Sequence, residues 1–159
     1  MESNGLAGWM GTFEVQIMRK GQEPEIVKFP NLITDAWLNL VRDATMSATP
    51  LDLQIKYIGL GKDDGTILPL APSNTRLGNE VERKSFTKIE TDGTGRVKRT
   101  VNINSDQGNF HIKEIGIFAG SDATSDINTG ILVARVFYDR DKDELESINI
   151  VRTDVVGRL

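Results

Sequence analysis

The stretch IKEIGIFAGSDATSDINTGILVARVFYDRDKDELESINIVR, residues 112–152, decides the fold. Ile112 to Phe118 is a dense apolar run and reads as a central strand. Gly120 to Gly130 is polar and reads as a loop. Ile131 to Tyr138 is a second strong apolar strand. Asp139-Arg140-Asp141-Lys142-Asp143 reads as a charged turn. Leu145 to Arg152 is then the last strand, with Ile148 and Ile150 on one face.

The same pattern extends towards the N-terminus. Val81 to Glu90 is a strand with a polar face of Glu82, Lys84 and Lys88, and Asp92-Gly93 is a turn signal. Val97, Val101 and Ile103 mark its partner strand, and Asp106 to Asn109 is another turn. Leu53, Ile55 and Tyr57 alternate and run into Ile58-Gly59-Leu60-Gly61, where glycines signal close backbone approach or a bulge. Phe13, Val15 and Ile17 alternate with Glu14, Gln16 and Met18, and Glu25 to Phe29 resumes extended structure, so a hairpin is expected there.

One helix interrupts the strands. Thr34 is a good N-cap and Asp35 suits the first turn of the helix dipole. Ala36, Trp37, Leu40, Val41 and Ala44 share one face, and Pro50 lies beyond the end. About eight strands and one helix, with no α–β alternation, predict a mainly β fold: an antiparallel β-sandwich whose helix covers an open end or one face. Residues 1–11, with Trp9 and Met10 among glycines, read as an N-terminal arm rather than a strand. Residues 12–159 read as a single β-rich domain. Lys62 to Asn74, with Pro69 and Pro72, is a long loop that exposes or half-exposes Ile67, Leu68 and Leu70, and loops of that length tend to be functional.

Composition narrows the function. The 159 residues carry 19 Lys+Arg against 23 Asp+Glu, a net charge of −4, which argues against a dedicated nucleic-acid binder. No apolar run approaches the roughly 20 residues that span a bilayer, so no membrane partner is expected. Cysteine is absent and there is one histidine, which removes thiolate metal sites, cysteine nucleophiles and two-histidine metal sites.

The candidate chemistry is correspondingly thin. Ser105 and Asp106 share one turn just before His111, whereas a triad needs groups converging from different elements. Asp139, Asp141 and Asp143 have the first spacings of a calcium loop, but Glu144 and Ile150 stand where glycine and a bidentate glutamate are required. Gly59-Leu60-Gly61-Lys62 lacks the earlier glycine and the following hydroxyl residue of a phosphate loop. Arg96, Lys98 and Arg99, and also Arg83 and Lys84, lack interleaved aromatics and read as strand faces engaged in cross-strand or intersubunit pairing. No catalytic, cofactor-binding or metal-binding residue is assigned, and no cofactor is expected.

An ordered series of segments is more informative. Asn31-Leu32-Ile33-Thr34-Asp35-Ala36 leads into the helix. Tyr57-Ile58-Gly59-Leu60-Gly61 follows, then Leu77-Gly78-Asn79-Glu80-Val81-Glu82-Arg83-Lys84. Ile112-Lys113-Glu114-Ile115-Gly116-Ile117-Phe118 comes next, and Gly130-Ile131-Leu132-Val133-Ala134-Arg135-Val136 closes the series. In this order the set resembles the phage tail-collar fibre family and related tail and baseplate proteins of tailed bacteriophages, over roughly Asn31 to Val136. The hairpin before Asn31 lies outside it. The resemblance implies a virion structural protein made in the host cytoplasm. It would be no enzyme, and its partners would be copies of itself and tail, baseplate or fibre components. Because the sequence stops soon after the matching region, an adaptor near the fibre attachment is expected rather than a full fibre. A capsid decoration or head-fibre protein is the alternative within that class, and a small glycan-binding or hydrolytic β-sandwich protein the alternative outside it. Docking through loops and arms would use Trp9, Met10, Leu68 and Leu70, although a large aromatic such as Trp9 is as readily explained by packing on its own domain.

Overall fold

The computed structural model describes residues 7–62, 65 and 68–158. In chain order the elements are β1 (Ala7–Arg19), β2 (Glu25–Pro30), β3 (Leu32–Ile33), α1 (Asp35–Met46), β4 (Ile55–Lys62), β5 (Glu80–Ser85), β6 (Lys88–Thr91), β7 (Arg96–Ile103), β8 (His111–Ala119), β9 (Ile131–Asp141) and β10 (Glu146–Arg158). They form two five-stranded sheets, ordered β2-β1-β10-β7-β6 and β3-β9-β8-β4-β5, here called the first and second sheet. Every pairing is antiparallel. The expected antiparallel sandwich with one helix is what the described residues build.

Strand alternation places the core between the sheets. In the first sheet, Phe13, Val15 and Ile17 of β1 lie opposite Arg152, Ile150 and Ile148 of β10, which lie opposite Arg99, Val101 and Ile103 of β7. Ile58 and Leu60 of β4, Ile115 and Ile117 of β8, and Ala134 and Val136 of β9 complete the same buried cluster from the second sheet. Full burial of each large aliphatic side chain contributes about 1.5–3 kcal/mol.

The helix begins where the sequence places it. The Thr34 side-chain oxygen accepts the Trp37 backbone N–H at 3.2 Å, and its hydroxyl donates to the Leu132 carbonyl. One residue therefore caps α1 and ties it to β9. Trp37 is fully buried and meets Trp9 edge-on, with ring centroids 4.9 Å apart.

Among the described residues ten strands stand where about eight are expected. One addition is β3, two residues long and too short for any alternation to register. The other arises because the expected strand at residues 81–90 is two strands, β5 in the second sheet and β6 in the first, separated only by Phe86 and Thr87. The chain bends at Thr87 to change sheets, but no glycine or proline marks the bend, so the sequence pattern does not break. Asn31 plays the same part between β2 and β3. Strands that switch sheets thus form both corners of the sandwich.

The reading of residues 1–11 as an arm is corrected for the described part. Ala7 to Gly11 belong to β1 and pair with Arg158 to Asp154 of β10. Glycines hide the alternation here, and one of them is required. A β-carbon on Gly11 would sit 1.8 Å from a guanidinium nitrogen of Arg152, whose side chain lies flat across that position. Residues 1–6 lie outside the described residues. The charged turn is also shorter than expected, since β9 continues to Asp141.

Candidate functional site

The outer face of the second sheet carries the segments that make up the ordered series. Across β5, β4, β8 and β9 one row reads Arg83, Gly59, Gly116, Arg135. The next reads Glu80, Gly61, Glu114, Phe137. Gly59 and Gly61 make room for the charges, and Gly116 for Leu77. A β-carbon on Gly59 would lie 2.5 Å from Glu80 Oε1, one on Gly61 2.5 Å from Glu114 Cγ, and one on Gly116 2.7 Å from Leu77 Cδ2.

Two buried guanidinium clamps result. Arg135 donates from Nε to Glu114 Oε2 at 2.7 Å, from Nη1 to the Pro69 carbonyl at 3.0 Å and Asn74 Oδ1 at 2.9 Å, and from Nη2 to the Leu68 carbonyl at 2.7 Å. Glu114 Oε1 accepts the Asn79 backbone N–H at 3.0 Å. The pair thus pins the long loop between β4 and β5 to the sheet. Arg83 donates from Nε and Nη2 to both oxygens of Glu80, at 2.7 and 2.8 Å, and from Nη1 to the Thr129 carbonyl at 2.7 Å. Its guanidinium lies 3.9 Å from the centre of the Phe118 ring. Glu80 Oε2 also accepts the Asn128 N–H at 2.8 Å, so this clamp fastens the loop between β8 and β9. Beneath the two loops Leu77, Phe118 and Leu132 form a second buried apolar cluster. Taking charges out of water is costly, and only near-complete hydrogen bonding offsets it. Both clamps meet that condition.

A third ionic cluster ties β1 to the β9–β10 hairpin. Glu146 accepts from Arg140 Nη2 at 2.6 Å and from Arg19 Nε at 3.0 Å. The hydrogen bond from Arg140 holds the Glu146 carboxyl below its ordinary value of 4.5. Beside it, burial pushes the Tyr138 phenol up to about 12.

The four residues expected to dock partners are not brought together. Trp9 is half-buried against Trp37 and donates from Nε1 to Asp154 Oδ1 at 3.0 Å, which makes it part of its own domain's packing. Met10, on the opposite face of β1, is 51% exposed. Leu68 is half-buried under the Arg135 clamp, and Leu70 is 38% exposed on the same loop. Ile67 lies outside the described residues. His111 is exposed and meets Asp139, which also accepts from Lys113 at 3.0 Å. These two contacts, that from His111 first, hold the Asp139 carboxyl below its ordinary value. Among the described residues no group of three or more histidines and acids is placed to hold a metal ion.

Sequence reasoning gave Glu80, Glu114 and Arg135 no role, although a signal was present. Arg135 interrupts the otherwise apolar run at residues 131–138, and Glu114 sits beside Lys113 in the run at 112–118, with Gly61 making space for it. Arg83 and Arg99 are expected in cross-strand or intersubunit pairing. They meet Glu80 at 2.7 Å and Asp154 at 2.9 Å.

The fold and its clamps define a scaffold domain, a β-sandwich that spends its buried charges on fixing loops. The model for the N-terminal domain of the phage tail-collar fibre proteins matches residues 26–128, well over half the chain, and the chain belongs to that family. It is a phage tail structural protein, a component of the virion in a family that is structural rather than enzymatic. The match takes in β2, so the second strand of the first hairpin is inside the family domain. Arg135, which holds the first clamp, lies beyond the matched span. The chain matches no curated protein and no solved structure.

Proposed function

We propose that the protein is an adaptor subunit of the tail or baseplate, placed where fibres attach, and that it acts by multimeric assembly with copies of itself and neighbouring virion proteins. The observation that carries this reading is the family match over residues 26–128, laid on a domain whose family segments are spent on rigidity. A rigid body repeated around a symmetric particle presents one patch many times, so weak contacts add to firm attachment. Met10, exposed on β1, and Leu70, exposed on the loop between β4 and β5, are the docking residues this reading retains from the sequence.

Mass spectrometry of purified particles, with imaging of particles carrying a tagged chain, tests the proposal. Peptides of the chain in stoichiometric amounts and a tag at the tail tip are the expected result. Absence from particles would overturn it, and density on the head would replace the adaptor with a capsid decoration protein.

A further inference from the structure

The inner face of the first sheet is covered at one side and open at the other. Phe13, Arg152, Arg99 and Ile89 form one row across β1, β10, β7 and β6. Phe13 and Arg152 are fully buried, whereas Ile89 is 54% exposed. Towards the ends of β7 and β10 the same face carries half-buried Val97, then Val156 at 45% exposure. An apolar strip continuous with the core face therefore meets solvent.

Two guanidiniums and one carboxylate sit beside it. Asp154 Oδ1 accepts from Arg152 Nε and Nη2 and from Trp9 Nε1, and Asp154 Oδ2 accepts from Arg99 Nη1 at 2.9 Å. Arg152 Nη1 and Arg99 Nε are buried without a hydrogen-bond partner among the described residues. Positive charge exceeds negative by one in this cluster, and burial pulls the Arg99 guanidinium below its ordinary pKa. The Arg99 side chain keeps 13% exposure, so an incoming group can reach it. A buried, under-compensated cation is costly, and a matching carboxylate removes that cost.

We propose that this strip, Ile89, Val97 and Val156 around Arg99, is a docking surface for an apolar protein segment that brings a carboxylate to Arg99. The apolar side chains accept the flanks of the segment and the surplus guanidinium selects the acid. This names a surface for the assembly role proposed above and rests on that reading.

Nitrogen-15 NMR of the whole chain tests it, with acetyl-Val-Asp-Val-Leu-amide as probe and the Asn peptide as control. The Asp peptide should move the amide signals of Ile89, Val97 and Val156 and the Arg99 Nε–H signal, and the Asn peptide should bind about tenfold more weakly. An Ile89→Lys/Val156→Lys variant, changed only at exposed positions, should keep its circular dichroism spectrum and lose the response. Absence of shifts at millimolar peptide, equal binding of both peptides, or shifts confined to another face would overturn the proposal. The same variant supplied to particles separates the two readings. Normal incorporation of the variant overturns this surface and leaves the adaptor intact, whereas particles lacking even the wild-type chain overturn the adaptor.

Discussion

Replacing Arg135 by methionine is the sharpest test of why the tail-collar segments are what they are. The substitution roughly keeps the volume but removes the donors that reach Glu114, Leu68, Pro69 and Asn74. Glu114, buried in the folded chain, keeps a backbone N–H from Asn79 and loses its counter-charge. Breaking a buried pair from one side costs about 3–5 kcal/mol. For a chain of this size each kcal/mol moves the midpoint by about 2–4 °C, so a drop of roughly 6–20 °C is expected. Equilibrium denaturation gives the free energy, and hydrogen exchange at the Asn79 amide reports the loop directly. Adding Glu114→Leu should recover at least about 1 kcal/mol, because the stranded carboxylate goes too and sites in contact are not additive. A loss below about 1 kcal/mol for Arg135→Met, or a double variant that costs the sum of the singles, would refute the reasoning.

Other expectations follow from the same geometry. Gly116→Ala places a methyl 2.7 Å from Leu77 Cδ2 and 3.1 Å from Leu132 Cδ1, both on buried side chains, and should cost about 1–3 kcal/mol by denaturation. Thr34→Ala removes both the cap on Trp37 and the tie to Leu132, and should cost about 1–2 kcal/mol with loss of helical circular dichroism. Glu146 has a native pKa below its unfolded value of 4.5, so the unfolded chain binds the extra proton as the solution acidifies. Its contribution is whole above that pH and is lost as pH falls through the native pKa, and a Glu146→Gln variant should show a flatter melting curve against pH in the acid range. Tyr138, with a phenol pKa of about 12, should resist ionisation in an ultraviolet titration until well above pH 10, and early ionisation of both tyrosines would contradict its burial.

The sandwich, its helix and the Thr34 cap were legible because each has a local signature: alternation, a 3.6-residue face, a hydroxyl before an acidic first turn. β3 and the break at Phe86-Thr87 were not, because β3 is too short to show alternation and no glycine or proline marks the bend at Thr87. Residues 7–11 were misread for a related reason, since Gly11 is dictated by the Arg152 side chain more than 140 residues away. The clamps were half visible. Arg135 stands out inside an apolar run, but its meeting with Glu114 depends on the register of β8 against β9, which no single segment encodes.

The lateral margins of the two sheets have a consequence for life in a crowded particle. The margin strands are short, two residues in β3, four in β6 and six each in β2 and β5. Pro30 ends β2, and the chain leaves each margin to cross to the other sheet. Each margin strand offers a neighbour at most six residues of backbone to zip onto, so copies packed against these four strands gain little from fusing strand to strand. Specificity then falls to side chains on the faces, where it can be set one residue at a time.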